Sequence, residues 1–237
     1  MSDYDSYTKW KGWDTSELSN SNKERINASY HAILKKAKVP QAARILELGF
    51  GNGYFLEWAR DHGYHSSGLE IIEELVTKAA ANGHEVYCDR LLETNRFEPN
   101  SFDAIVAFDV FEHMSVDELR ESLKKIDALL VVGGCVIARV PNAGSPFGQL
   151  LQNGDMTHLR AFTTTSMPQL LFDTALNQEW AGNSVRVLAG CRQKWKRYIA
   201  YILRDFLEWT LGFIYFGRRV AMDPTITLIL RKSSQNS

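Results

Sequence analysis

Cysteine is scarce in this chain of 237 residues, with only Cys88, Cys135 and Cys191. Their odd number and wide spacing exclude a disulfide framework and a Cys-x-x-Cys metal ribbon, so a reducing cytoplasm is the expected setting. An excess of one charge is also missing. Lys and Arg number 27 against 28 Asp and Glu, a formal net charge of −1. That balance lacks the basic field needed to hold bulk nucleic acid, and no nucleic-acid partner is expected. No uncharged apolar run reaches the ~20 residues of a membrane-spanning helix. Met1-Ser2-Asp3-Tyr4-Asp5 is acidic and polar, which is not the pattern of a secretory signal. No repeat, low-complexity run or cluster of metal-ligating residues is visible, and no metal is expected.

What is present is a core's worth of apolar residues, 45% of the chain, enough for one domain with an insertion. Ile26, Tyr30, Ile33 and Leu34 recur at helical spacing and predict a helix over 23–38. Pro40 then breaks the chain. Strands are predicted at 44–49, 65–70, 84–88, 102–109 and 135–140, alternating with helices at 53–62, 72–82 and 116–131. Phe102-Asp-Ala-Ile-Val-Ala-Phe-Asp109 is almost continuously apolar, as a parallel strand covered on both faces must be. The alternation predicts an α/β fold with a doubly wound parallel sheet whose strand ends share one edge. Further on, 165–176 reads as a helix, and 184–189 and 224–231 as strands.

The densest local signal is Glu47-Leu48-Gly49-Phe50-Gly51-Asn52-Gly53, directly after the apolar run Ala43–Leu46. Glycines at the point where a strand turns into a helix let a ligand approach the backbone. Glu70, at the end of the second apolar run, can accept hydrogen bonds from ribose hydroxyls. The spacing is not the G-x-G-x-x-G of a dinucleotide loop, since Tyr54 stands where that pattern has its third glycine. Glu47 would repel a phosphate and attract an ammonium. The ligand expected is a zwitterionic nucleoside without phosphate.

At these residues the chain resembles the class I S-adenosylmethionine-dependent methyltransferases, whose first motif is E/D-x-G-x-G-x-G. A second likeness is Phe102-Asp-Ala-Ile-Val-Ala-Phe-Asp-Val-Phe-Glu-His113, close to the F-D-x-I-x-x-x-x-V-L-E-H of many relatives. The resemblance implies a Rossmann-like, doubly wound, seven-stranded sheet with its last strand antiparallel. It implies S-adenosyl-L-methionine as cofactor, held by Glu47, Gly49, Gly51, Gly53 and Glu70. Ile71 would pack on the adenine, Asp89 would reach the adenine amino group with Leu91 as an apolar wall, and Asp109 would lie near the methionine part. Phe50 replaces the small residue usual in relatives. No N-P-P-Y or D-P-P-Y follows strand four, which disfavours DNA adenine and glutamine methylation.

Methyl transfer from a sulfonium needs alignment of the nucleophile and, for a hydroxyl, removal of a proton. Asp155-Met-Thr-His158-Leu-Arg-Ala-Phe-Thr163 is similar to H-x-x-x-F-T stretches of small-molecule methyltransferases in this superfamily. His158 is either a general base, with Asp155 orienting it, or a brace for its loop. His113 is either a base or a structural residue. The implied reaction is methyl transfer to a small-molecule or glycan-like acceptor at oxygen. Two alternatives stay open, a non-catalytic module that binds the same cofactor and a nicotinamide-dependent oxidoreductase.

The chain thus divides into an arm and helix at 1–40, whose Tyr4, Tyr7, Trp10 and Trp13 suit a lid or a frayed end, and a cofactor-binding core at 41–190. An aromatic and basic helical insertion follows at 191–221, then a last strand and tail at 222–237. The stretch 194–220 suits an interfacial helix making peripheral membrane contact, a helix packed on the sheet, or a dimer face.

Overall fold

The computed structural model describes residues 19–234, so the aromatic arm lies outside the described residues. Helix α1 (Asn20–Lys36) opens on Ser19, whose hydroxyl accepts the Asn22 amide. There follow β1 (Arg44–Leu48), α2 (Tyr54–Asp61), β2 (His65–Glu70), α3 (Glu73–Ala81), β3 (Glu85–Cys88) and β4 (Phe102–Phe108). Helix α4 (Val116–Leu129) starts at Ser115, whose Oγ accepts the Glu118 amide at 3.1 Å. Then come β5 (Leu130–Pro141), α5 (Gly148–Gly154), β6 (Leu176–Asn183), α6 (Lys194–Phe216) and β7 (Thr225–Lys232).

The seven strands lie in the order β3-β2-β1-β4-β5-β7-β6. The first five are parallel, and β7 runs antiparallel to both its neighbours. The order reverses at β1, flanked by β2 on one side and β4 on the other. That switch point opens a crevice beyond the carboxyl ends of the strands.

The apolar strands are apolar because both sheet faces are covered. Ile105 and Ala107 of β4, with Val136, Ala138 and Val140 of β5, face a core completed by Leu119, Leu123 and Ile126 of α4. Ala104, Val106, Cys135 and Ile137 face the opposite way, onto Ile33 and Leu34 of α1 and Phe55 and Trp58 of α2. Period-two alternation is preserved, but both halves of it are buried.

Three sequence expectations are corrected. Residues 165–176 form no long helix, only a 3₁₀ turn at Met167–Leu170 with Pro168 as its second residue. The sixth strand is Leu176–Asn183 rather than 184–189. It is an edge strand, and its Asn-Gln-Glu run hides the pattern. In the segment after it, Arg186 turns away from the sheet to bind α6. Strand β5 begins at Leu130 rather than Cys135, because its pairing with β4 bulges between Phe102 and Ala104.

Candidate cofactor and acceptor site

The loop after β1 is wound left-handed, with φ of +63° at Gly49 and +53° at Gly51. A Cβ on Gly49 would stand 2.8 Å from Val110 Cγ2, so that position has no room for a side chain even where strain could be borne. Gly53 caps α2. Phe50, which departs from the small residue of relatives, turns into the core between α2 and α3 with Leu56 and Leu75. It fits because Gly68 has no side chain, since a Cβ there would meet the Phe50 ring at 2.7 Å.

Glu70 closes the loop from the neighbouring strand. Its Oε2 accepts the Gly51 amide at 3.1 Å, and its Oε1 accepts the amides of Ile71 at 2.7 Å and Ile72 at 3.3 Å. A carboxylate offers about four acceptor sites, so three amides leave capacity for a diol. Glu47 is buried one strand away, and its Oε2 has no hydrogen-bond partner. Burial raises the Glu47 carboxyl well above the usual range, and repulsion from Glu70 adds to it while Arg139 opposes it. Burial raises Glu70 too, against three amides that lower it.

Asp109 follows β4 at a φ of +59° and is clamped by Arg139, whose Nε donates to Oδ1 at 3.0 Å. Ile71 is partly exposed, and Leu91 is buried. Asp89 accepts from Arg96 Nε through Oδ2 at 2.7 Å. The crevice therefore brings Glu47 and Glu70 together with Asp109 and its partner Arg139. An unpartnered buried carboxylate oxygen, a tight glycine turn and this excess of acid fit a cationic nucleoside and oppose a pyrophosphate.

Beside it lies a cleft of about 760 Å³ between α1, α5 and the start of β7. Tyr30, Phe108, Asp109, Arg139, Glu112, Asp155 and His158 are among its walls. The volume suits a small molecule. Tyr30 stacks on Phe108 with ring centroids 5.6 Å apart.

Two loops are stitched together at one end of the cleft. The Glu112 carbonyl accepts the amides of Leu159 at 2.8 Å and Arg160 at 3.1 Å. This brings the His113 and His158 rings to 4.7 Å. His158 Nδ1 lies 3.3 Å from the Gln152 carbonyl, and its Nε2 lies 3.6 Å from Asp155 and 4.0 Å from Glu112. His113 Nδ1 meets Thr157 Oγ1 at 2.9 Å, and that hydroxyl donates to Asp155 at 2.6 Å. Carboxylates beside Nε2 stabilise the imidazolium formed when the ring takes a proton. The fold also assembles a grouping that linear spacing hides. Glu112, His113 and His158 offer ligand-type atoms all within 4.8 Å of one another.

Sequence reasoning named Asp155, His158 and His113 and missed three neighbours. Tyr30 reads only as one of the helically spaced residues of 23–38, and Glu112 only as part of the second motif. Arg139 was detectable, as the one charge inside the apolar run Cys135–Val140.

The chain's relations agree with this geometry. No curated protein sequence matches it. A structure from Archaeoglobus fulgidus described as a SAM-dependent methyltransferase superposes with a TM-score of 0.64 at 16% identity, covering 98% of this chain and 100% of that one. The PH0226 protein of Pyrococcus horikoshii gives 0.64 at 15% identity, covering 96% and 99%. The Haloferax volcanii structure of a complex with the Trm112 methyltransferase activator gives 0.65 at 16% identity, covering 99% and 97%. At such identities the likeness is one of fold. Residues 20–182 match the family profile described as a methyltransferase domain. With the acidic glycine-loop crevice, that match sets aside the nicotinamide reading, and the chain belongs to the methyltransferase-domain family, as an enzyme that uses S-adenosylmethionine.

Proposed function

We propose that the enzyme methylates a hydroxyl oxygen of a small-molecule or glycan-like acceptor bound in the cleft beside Asp109. The observation that carries this is the placement of His158 in the wall of that cleft, held through Nδ1 by the Gln152 carbonyl and flanked at Nε2 by Asp155 and Glu112. When bound, S-adenosylmethionine supplies an electrophilic methyl group on a sulfonium whose departure leaves a neutral thioether. Glu47 would face its ammonium, and Glu70 its ribose diol. Arg139 fixes Asp109 where the two sites meet. His158 takes the hydroxyl proton, Asp155 and Glu112 stabilise the resulting charge, and Thr157 holds His113 and Asp155 in register.

The grouping of ligand atoms at Glu112, His113 and His158 favours a second reading. A divalent cation there would polarise the acceptor hydroxyl in place of a protein base. Labelling tests the assignment of acceptor class. The enzyme is incubated with methyl-labelled S-adenosylmethionine and cell extract, and the labelled products are identified. Label in an alkali-stable methyl ether of a small or glycan compound supports the proposal. Label on protein or nucleic-acid nitrogen overturns it.

A further inference from the structure

Helix α6 is built inside out. Its inward side carries Tyr201, Arg204, Asp205, Glu208 and Gly212, at helical spacing. These polar groups are tied into the body of the protein. Glu208 is buried and accepts from Asn183 at 2.7 Å, from Arg186 at 2.8 Å and from Arg219 at 2.8 Å. Asp205 accepts from Arg186 at 2.9 Å and pairs with Arg219. Tyr201 donates to the Val187 carbonyl at 3.1 Å, and Arg204 pairs with Asp223. A Cβ on Gly212 would meet the Arg218 carbonyl at 2.5 Å, so the helix lies close against the returning chain.

The outward side is the reverse of a soluble helix. Apart from Lys194, Lys196 and Ala200, every exposed residue of α6 is Trp, Tyr, Phe, Ile or Leu. Trp195, Ile202, Phe206, Trp209, Phe213 and Phe216 form a stripe in which each ring or branch is more than half exposed. Contiguous apolar surface of this kind on a folded protein marks an interaction site. No described helix is long and apolar enough to cross a membrane, and at about 35 Å α6 is tied along its inner face by three charged residues, Arg204, Asp205 and Glu208. It can lie on an apolar medium but cannot enter it end-on.

We propose that α6 seats this protein flat on the surface of an anionic lipid bilayer. Charge selects that occupant. Both acids of the helix, Asp205 and Glu208, are engaged on the inner side, so the outer side bears no negative group. Exposed Arg192, Lys194 and Lys196 stand at one end, and exposed Arg218 just past the other. The apolar stripe between basic ends, with Trp and Tyr rings that favour headgroup depth, matches an interfacial helix. A second copy of the chain fits less well. Because both ends are basic, any two-fold pairing of α6 with itself opposes like charges, whether parallel or antiparallel. The inference does not depend on the methyl-transfer reading, though the stretch leading from β6 to α6 contributes Ser184 and Val185 to the cleft wall.

Vesicle co-sedimentation of the full chain tests it, with phosphatidylcholine vesicles with and without phosphatidylglycerol. The wild type is expected to bind the anionic vesicles about tenfold or more tightly than the neutral ones, with a loss on the order of tenfold for Lys194→Glu/Lys196→Glu. Phe206→Ser/Trp209→Ser/Phe213→Ser is expected to stay in the supernatant. Cooperative thermal unfolding confirms that each variant is folded, and if the triple variant is not, the lysine pair decides. Wild type that ignores anionic vesicles overturns the proposal, as does a folded triple variant that binds them as well as wild type. Light scattering showing a dimer that the triple variant breaks, with no vesicle binding, assigns the face to a second copy and overturns it too.

Discussion

Glu70 and Gly51 are joined across the crevice, with the Gly51 amide donating to Glu70 Oε2 at 3.1 Å. One carboxylate thus sets the shape of the glycine turn while keeping an acceptor site for a ligand diol. Removing it should do two things. Glu70→Ala is expected to weaken S-adenosylhomocysteine binding by roughly 1–3 kcal/mol, the scale of a hydrogen bond to a charged group. It should also lower the melting temperature, since three amides lose their acceptor. Unchanged affinity by calorimetry would remove the ribose contact from the account.

Glu47 gives a pH signature. Burial raises both Glu47 and Glu70 above the ordinary 4.5, so the folded, ligand-free protein holds protons that the unfolded chain releases. The stability this contributes is complete below about pH 4.5 and is lost as pH rises through the raised native values. A bound cation favours the ionised acids, so binding should expel protons. Titration heats for S-adenosylhomocysteine should then differ between buffers of different ionisation enthalpy, and equal heats would contradict the linkage. Glu47→Gln should raise the melting temperature of the ligand-free protein near neutral pH and weaken the ligand by about 1–3 kcal/mol.

The glycines of the loop are not equivalent. Gly53 has a φ of +73° and nothing within 4 Å of an added Cβ, whereas at Gly49 that Cβ would strike Val110 Cγ2 at 2.8 Å. Gly53→Ala should cost only the left-handed backbone, ~1–2 kcal/mol. Gly49→Ala should cost more and should disturb Val110, the neighbour of Asp109. Adding Val110→Ala should recover part of the loss. Equal melting temperatures for the two single variants would show that the collision is relieved elsewhere.

The two histidines separate base from metal chemistry. His158→Gln is expected to lower kcat by about 10²–10⁴ with cofactor affinity unchanged, the usual span for a positioned acid or base. Asp155→Asn should act in the same direction more weakly. Activity should survive a chelator. Loss of activity on chelation, restored by a divalent cation, would move Glu112, His113 and His158 from proton handling to ion binding.

The sheet was legible where burial and periodicity agree. Strands β1 to β4 lie close to where their apolar runs place them, and Glu47 and Glu70 stand out because acids ending apolar runs are unusual. Strand β6 was not legible, because an edge strand can carry Asn177, Gln178 and Glu179 on the pleat without cost to the core. The Glu112–His158 cluster was hidden for another reason. It depends on amide bonds from Leu159 and Arg160 to the Glu112 carbonyl, a tertiary contact without a local pattern. Helix α6 was legible as an aromatic and basic segment, but its orientation was not. Its partners Asn183, Arg186, Val187, Arg219 and Asp223 reveal that its polar side faces the protein.

The crevice suits a sulfonium nucleoside and opposes a dinucleotide. Calorimetry of the wild-type chain against S-adenosylhomocysteine and against NAD tests it most directly. The account predicts one S-adenosylhomocysteine site per chain, weakened in Glu70→Ala and Glu47→Gln, and no heat with NAD. Saturable NAD binding without S-adenosylhomocysteine binding would contradict it.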